Sequence, residues 1–295
     1  MSKPKIGFMG LGLMGAPMCQ RLLDQGYDMS VLANRTRVQI DAALARGATE
    51  VSSARELAET VDIVMMCMDT SNSVENRMRG PEGVIAGLTP GTIVIDFGTS
   101  LPESTRALAE EVATAGGVYL DAPLGRTPAH AADGLLNIMC AGDQAAFAQV
   151  KPVLDDLGEN VFHLGASGAG HTVKLINNFF GMTTAMAMGE AFAMGEAAGV
   201  ARDTLYEVMS QGPLNSAMMG LVKSYAVDGD ATQLEFALKN AKKDVGYYTT
   251  MADAMGNLTV MSTGTKQALG IAVAQGHGDK MVSQAVDMFA DMYRN

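Results

Sequence analysis

The chain has no tryptophan and only three cysteines in 295 residues. Cys19, Cys67 and Cys140 are odd in number, far apart and set in apolar sequence. Such spacing supports neither a disulfide framework nor a zinc site, and buried free thiols are expected, with no metal. Basic charge is also scarce: 21 Lys and Arg stand against 32 Asp and Glu, a formal net charge of −11. A polyanion-binding surface needs a basic stripe, and only Lys239-Asn240-Ala241-Lys242-Lys243 offers a short one. Nucleic acid is therefore not an expected partner. No stretch of about 20 residues is apolar without interruption, as a membrane span requires. The nearest, Phe179 to Ala198, contains Glu190 and Glu196, so a core helix is expected there and no membrane partner. After Met1-Ser2-Lys3-Pro4-Lys5 there is no apolar segment ending in a small-residue cleavage site, which makes a cytoplasmic location the default expectation.

The length suits two domains. From Lys5 to about Gly165, short β-rich runs alternate with amphipathic stretches, the pattern of a parallel sheet flanked by helices. Strands are expected at Ile6–Met9, Met29–Ala33, Ile63–Cys67, Ile93–Phe97, Val118–Ala122, Leu136–Cys140 and Val161–Leu164. Helical patterns fill Val38–Arg46, Ala54–Glu59, Glu103–Ala115 and Asp143–Leu157. Beyond Gly170 strand patterns cease. A long helix from His171 to about Ala198 carries small and apolar residues nearly all round and is expected to be buried on most faces. Further helices follow, punctuated by Gly199, Gly212, Gly229 and Gly256. The 23 methionines, Met65, Met66, Met182, Met186 and Met188 among them, fall in apolar patterns and suit core filling.

One motif carries chemistry. Gly10-Leu11-Gly12-Leu13-Met14-Gly15 follows an expected strand and opens an expected helix. The first glycine permits the tight turn, the second lets the backbone approach a pyrophosphate, and the third lets helix and strand pack closely. The helix start then offers unpaired N–H groups to the phosphates. An NAD site usually places a carboxylate about 20 residues further on. This sequence has Asn34-Arg35-Thr36 instead. Arg35 suits a 2′-phosphate, with Asn34 and Thr36 as added donors, so NADP is the expected cofactor, with NAD as the alternative. The fold class is α/β: an N-terminal Rossmann-type doubly wound sheet over residues 1–166, then an all-α C-terminal domain over residues 167–295, joined by the long helix.

Four segments in order, Gly7 to Met18, Asp121-Ala122-Pro123, Gly168-Ala169-Gly170 and Lys174-Leu175-Ile176-Asn177-Asn178, resemble the β-hydroxyacid dehydrogenases, the family of 3-hydroxyisobutyrate dehydrogenase, tartronate semialdehyde reductase and sulfolactaldehyde reductase. The resemblance covers essentially the whole chain. It implies an oxidoreductase in which Lys174 is catalytic and Asn178 binds substrate. Lys174, Asn177 and Asn178 stand at i, i+3 and i+4, on one helical face. A lysine there can pass a proton to a carbonyl oxygen as hydride reaches the carbon, and burial would tune its proton affinity for that task. The resemblance further implies that Thr99, Met68 and Lys243 lie along the cofactor. Gly98 stands where the family commonly has serine, and Met68-Asp69 replaces the usual Leu-Pro.

The main departure lies after Asp121-Ala122-Pro123-Leu124. Most of the family continues Ser-Gly-Gly, small residues whose N–H groups hold a carboxylate, whereas this chain reads Gly125-Arg126-Thr127. Arginine's fork suits an oxygen pair on a carboxylate, sulfonate or phosphonate. A small acid-bearing substrate is thus expected, and the Gly-Arg-Thr segment resembles the sulfonate-binding segment of sulfolactaldehyde reductases. Arg126 could instead pair structurally with Asp121 or Asp133. Imine reductases, similar in fold, commonly carry aspartate or tyrosine at the position of Lys174. A catalytically silent scaffold could dispense with that lysine. The family resemblance also implies a homo-oligomer, dimer or tetramer, built through the helical half.

Overall fold

The computed structural model describes residues 3–33 and 37–294. Asn34, Arg35 and Thr36, the residues expected to choose the cofactor, lie outside the described residues. The chain divides into two compact units, Met1–Lys174 and Leu175–Asn295. The division falls inside the long helix, whose first turn is tied to the sheet.

In the first unit the elements run β1 (Ile6–Met9), α1 (Gly15–Asp24), β2 (Met29–Leu32), α2 (Val38–Leu44), β3 (Thr49–Val51), α3 (Ala54–Thr60), β4 (Ile63–Met66), α4 (Ser71–Met78), α5 (Val84–Gly87), β5 (Ile93–Asp96), α6 (Pro102–Thr114) and β6 (Val118–Asp121). Then come β7 (Leu124–Gly125), α7 (Pro128–Asp133), β8 (Leu136–Cys140), α8 (Gln144–Leu157), β9 (Gly158–His163) and the head of α9 (Ala169–Ala197). Six strands form one all-parallel sheet in the order β3-β2-β1-β4-β5-β6. β1, β4 and β5 are buried at every residue, which is why they read as unbroken apolar runs: a parallel sheet is covered on both faces.

Side chains alternate between those faces. Phe8, Val31, Met65 and Ile95 join one apolar cluster, while Met9, Leu32, Met66 and Val94 join another. Two cores on one sheet are what a doubly wound fold requires. The strand order reverses between β1 and β4, and at this switch point the carboxyl ends of parallel strands leave a crevice for a ligand.

Leu136–Cys140 and Val161–Leu164 do not extend the parallel sheet. They belong to a separate three-stranded sheet, β7-β8-β9, in which β7 is antiparallel to β8. Short apolar runs look alike in either setting. β3, α4, α5, α7 and β7 were outside the sequence-based expectation. β3 has two of its three residues exposed, and the others are too short or too polar for a periodic signal.

The second unit contains the rest of α9 with α10 (Arg202–Ser210), α11 (Ala217–Ala226), α12 (Leu238–Ala254), α13 (Met261–Ala274) and α14 (Ala285–Arg294). Its core gathers Met182, Met186, Met188, Phe192, Met219, Leu269 and Phe289, so these methionines do fill space. The long helix is less covered than its composition suggests, since Phe180 is 72% and Met194 52% exposed. Among the described residues no helix is long and apolar enough to cross a membrane.

Candidate functional site

The glycine turn joins β1 to α1 at the switch point. Gly10 has φ +88°, and a Cβ on it would strike the Cys67 carbonyl, so only glycine fits there. At Gly15 a Cβ would strike the Gly10 carbonyl and crowd the Phe8 ring. Gly12 differs: nothing lies within 4 Å of where its Cβ would stand. That position is open toward the crevice, where a pyrophosphate needs backbone contact. The start of α1 has no side-chain cap and no acidic residue in its first turn, so no fixed anion competes for its N–H groups. Both features fit a dinucleotide. A groove beside the turn is lined by Leu11, Leu13, Pro17, Gln20 and Gln39.

The loops after β4 and β5 close on the same edge. The Met68 sulfur lies 3.0 Å from the point a Gly10 Cβ would occupy, and a Cβ on Gly98 would come within 2.9 Å of the Met68 carbonyl. The glycine at 98 therefore has a steric reason. Thr99 follows it, half-buried.

Two carboxylates end the apolar strands beside this edge, and both are fully buried. Asp96, at the end of β5, accepts from the Gly98 N–H at 2.8 Å, the Ser100 hydroxyl at 3.2 Å and the Tyr119 phenol at 3.1 Å. Burial, reinforced by Asp96, pushes the Tyr119 phenol well above its usual range. Asp121, at the end of β6, accepts from the backbone N–H groups of Gly168 at 2.8 Å and His171 at 2.9 Å. It caps the head of α9, the helix that carries Lys174. A Cβ on Gly170 would collide with the Met139 carbonyl and come within 2.8 Å of the Asp121 carboxylate. The Gly-Ala-Gly entrance is thus what lets α9 start against the strands.

His171 is fully buried between these acids. Its Nδ1 is 2.7 Å from the Thr105 hydroxyl, and its Nε2 is 3.7 Å from Asp96 Oδ2. Asp96, Thr105 and His171 were not among the expected site residues. The available signal was an aspartate closing an otherwise apolar strand, Ile93-Val94-Ile95-Asp96.

Lys174 is half-buried, one turn beyond the capped residues. Asn177 is exposed and Asn178 is 7% exposed, and Asn177 Nδ2 donates to Asn178 Oδ1 at 3.4 Å. Neighbours on a helix diverge by about 100°, and the second unit takes up only one of them. Asn178 Nδ2 donates to Asp244 Oδ2 at 2.6 Å, and Lys243 Nζ lies 2.9 Å from Asp244 Oδ1. Lys243 also stands 5.2 Å from the Tyr247 ring. Asp244 is 2% exposed; in the Lys243-Asp244 pair the sequence assigns a role to the lysine and none to the aspartate.

Gly125 closes β7, and Thr127 precedes α7 with its hydroxyl 2.7 Å from His130 Nδ1. Arg126 meets neither Asp121 nor Asp133. Its Nη1 donates to the Leu135 carbonyl at 2.6 Å and to Glu159 Oε2 at 2.5 Å. Cys19 and Cys140 are buried, and that burial lifts both thiols to about 12, which keeps them protonated and inert. Cys67 is half-buried. No group of three metal-ligating side chains occurs among the described residues.

A family model described as the NAD binding domain of 6-phosphogluconate dehydrogenase matches residues 5–165, and one described as NAD-binding of NADP-dependent 3-hydroxyisobutyrate dehydrogenase matches residues 168–289. The 2-(hydroxymethyl)glutarate dehydrogenase of Eubacterium barkeri is 30% identical over 290 residues, 98% of this chain and 95% of that one. The NAD-dependent L-serine dehydrogenase of Pseudomonas aeruginosa is 30% identical over 292 residues, 97% of each chain. A solved structure of 3-hydroxyisobutyrate dehydrogenase from Salmonella typhimurium superposes with a TM-score of 0.84 at 27% identity, covering 97% of this chain and 100% of that one.

Proposed function

The chain belongs to the β-hydroxyacid dehydrogenase family of NAD(P)-dependent oxidoreductases acting on CH–OH groups, and we propose that it interconverts a short acid-bearing aldehyde and its alcohol with NADP(H). The observation that carries this reading is the Asp121 cap. It ties the helix bearing Lys174 to the carboxyl edge of the sheet on which the glycine turn lies.

Gly10, Gly12 and Gly15 receive the pyrophosphate at the start of α1, and Met68 and Thr99 border it. Arg35, with Asn34 and Thr36, selects the 2′-phosphate, while NAD remains a weaker alternative. The nicotinamide, when bound, supplies or removes the hydride. Lys174 Nζ donates a proton to the substrate oxygen during reduction and takes it back during oxidation. Asn178, held by Asp244, orients that oxygen, and Asn177 lies beside it. Because the Asn178 amide N–H₂ faces Asp244, its Oδ1, which accepts from Asn177 Nδ2 at 3.4 Å, meets the substrate on the alcohol side, where the hydroxyl donates to it. Lys243, beside Asp244, serves the cofactor.

Gly125, Arg126 and Thr127 receive the acid group, either a carboxylate or a sulfonate as in sulfolactaldehyde. Exposed apolar residues of the helical unit, Phe180, Leu258 and Val260, support a homodimer or tetramer.

A panel of glyoxylate and the succinic, methylmalonic, tartronic and sulfolactic semialdehydes, assayed with NADPH, identifies the best substrate. Lys174→Ala then lowers its turnover by about 10²–10⁴-fold, the usual weight of a general acid, and leaves NADPH affinity unchanged. Wild-type turnover in that variant overturns the proposal.

A further inference from the structure

The ion pair between Arg126 and Glu159 is built from two backbone irregularities. Arg126, with φ +77°, is the one non-glycine with positive φ among the described residues. A residue with a Cβ adopts that conformation only under local compulsion. Glu159 owes its direction to a register shift. Along β8 and β9 the pairing steps from Leu136 opposite Gly158 to Asn137 opposite Asn160, so Glu159 is the extra residue of a bulge. Bulges re-aim a side chain and recur next to active sites. Just beyond it the Asn160 and Asn137 amides bond at 2.8 Å and pin the register.

Both contacts to Arg126, from the Leu135 carbonyl at 2.6 Å and Glu159 at 2.5 Å, use the single nitrogen Nη1 of a guanidinium that carries five N–H donors. The side chains are 30% and 53% exposed. An ion pair this open contributes little net stability, because water and salt compete with it. One carboxylate can therefore replace another on Arg126 at small cost, and the displaced Glu159 is already half in water.

We propose that Glu159 is a specificity-determining residue: its carboxylate occupies Arg126 until the acid group of a substrate takes the guanidinium over. The inference rests on the reading of Arg126 as the anion-binding arm. An aldehyde with an acid group regains for Arg126 what it loses in Glu159. An uncharged aldehyde of the same length has nothing to offer the guanidinium and leaves the pair closed. Selection for acid-bearing substrates then comes from an exchange of partners rather than from pocket size.

The test uses the acid-bearing aldehyde that turns over best with NADPH, and the corresponding amide. Glu159→Gln keeps the size and removes the competing charge. Its KM for the acid falls by up to about fivefold, the range open to an exposed pair, with kcat unchanged and the amide unaffected. Glu159→Ala shows the same selective drop. Arg126→Ala raises KM for the acid at least tenfold and lowers the ratio of acid to amide turnover by a similar factor.

An unchanged or higher KM for the acid in both Glu159 variants, with a lower melting temperature, makes Glu159 a structural pin and overturns the proposal. If Arg126→Ala leaves the ratio of acid to amide unchanged, the reading of Arg126 has failed instead, and this inference fails with it. A panel in which no acid-bearing aldehyde turns over removes both.

Discussion

The two units bury their acids on different partners. In the first, Asp121 takes two backbone N–H groups and Asp96 takes one, with hydroxyls completing its shell. In the second, Asp244 is held by the Asn178 amide and the Lys243 ammonium. A backbone donor is fixed by the fold, whatever side chain hangs from it. A side-chain donor exists only while its residue does. The first arrangement therefore sets where elements lie, and the second sets which way functional groups point.

The largest effect separates these roles. Asp121→Ala strands two buried N–H groups at the head of α9. With hydrogen bonds to charged groups contributing about 1.5–3 kcal/mol each, it is expected to cost at least about 3 kcal/mol in urea unfolding and to abolish turnover with it. Asp244→Ala gives up one such bond from Asn178 and is expected to cost about 2 kcal/mol, while turnover falls out of proportion to stability. Equal stability losses, or activity that tracks stability in both variants, would erase the distinction.

Next in size is a contrast within the glycine turn. Gly15→Ala drives a methyl into the Gly10 carbonyl. Overpacking of this kind costs about 1–3 kcal/mol, visible as a lower melting temperature. Gly12→Ala meets nothing within 4 Å and should stay within about 0.5 kcal/mol of wild type, yet bind NADPH at least tenfold more weakly. Should both variants lose stability alike, Gly12 is a structural glycine and the open space above it is not a pyrophosphate seat.

What the sequence made legible follows the same division. Strands β1, β4 and β5 were readable because burial on both faces leaves an unbroken apolar run, and the glycine turn because it must follow a strand and open a helix. Two-residue β7 and exposed β3 leave no such trace. Pairings across long separations were not readable. Glu159 lies 33 residues from Arg126, and Asp244 lies 66 from Asn178. Periodicity says which face a residue takes and nothing about its partner on another element. It sets Asn177 beside Asn178, whose amides bond, and does not reveal that Asp244 takes up Asn178.

Alkaline pH gives the most local test of the contrast. All three cysteines precede Lys174, and burial raises the Cys19 and Cys140 thiols from 9.0 to about 12. A raised value means that the unfolded chain loses its thiol proton first. The stabilisation is complete below pH 9 and declines as pH climbs toward 12. At pH 10 each thiol has withdrawn about 1.4 kcal/mol, one pH unit at 1.36 kcal/mol. Tyr119, raised well above 10 by burial, adds to the loss above pH 10. The helical unit has no cysteine. There Tyr225 is raised above 10 by its hydrogen bond to Asp287. Hydrogen exchange read peptide by peptide should therefore accelerate between pH 8 and 10, after correction for intrinsic rates, in residues 3–174 before residues 175–294. Cys140→Ala should flatten the decline in unfolding free energy by about 1.4 kcal/mol at pH 10. A decline shared equally by both units, or one that this variant leaves unaltered, would mean that the thiols are not what alkali attacks.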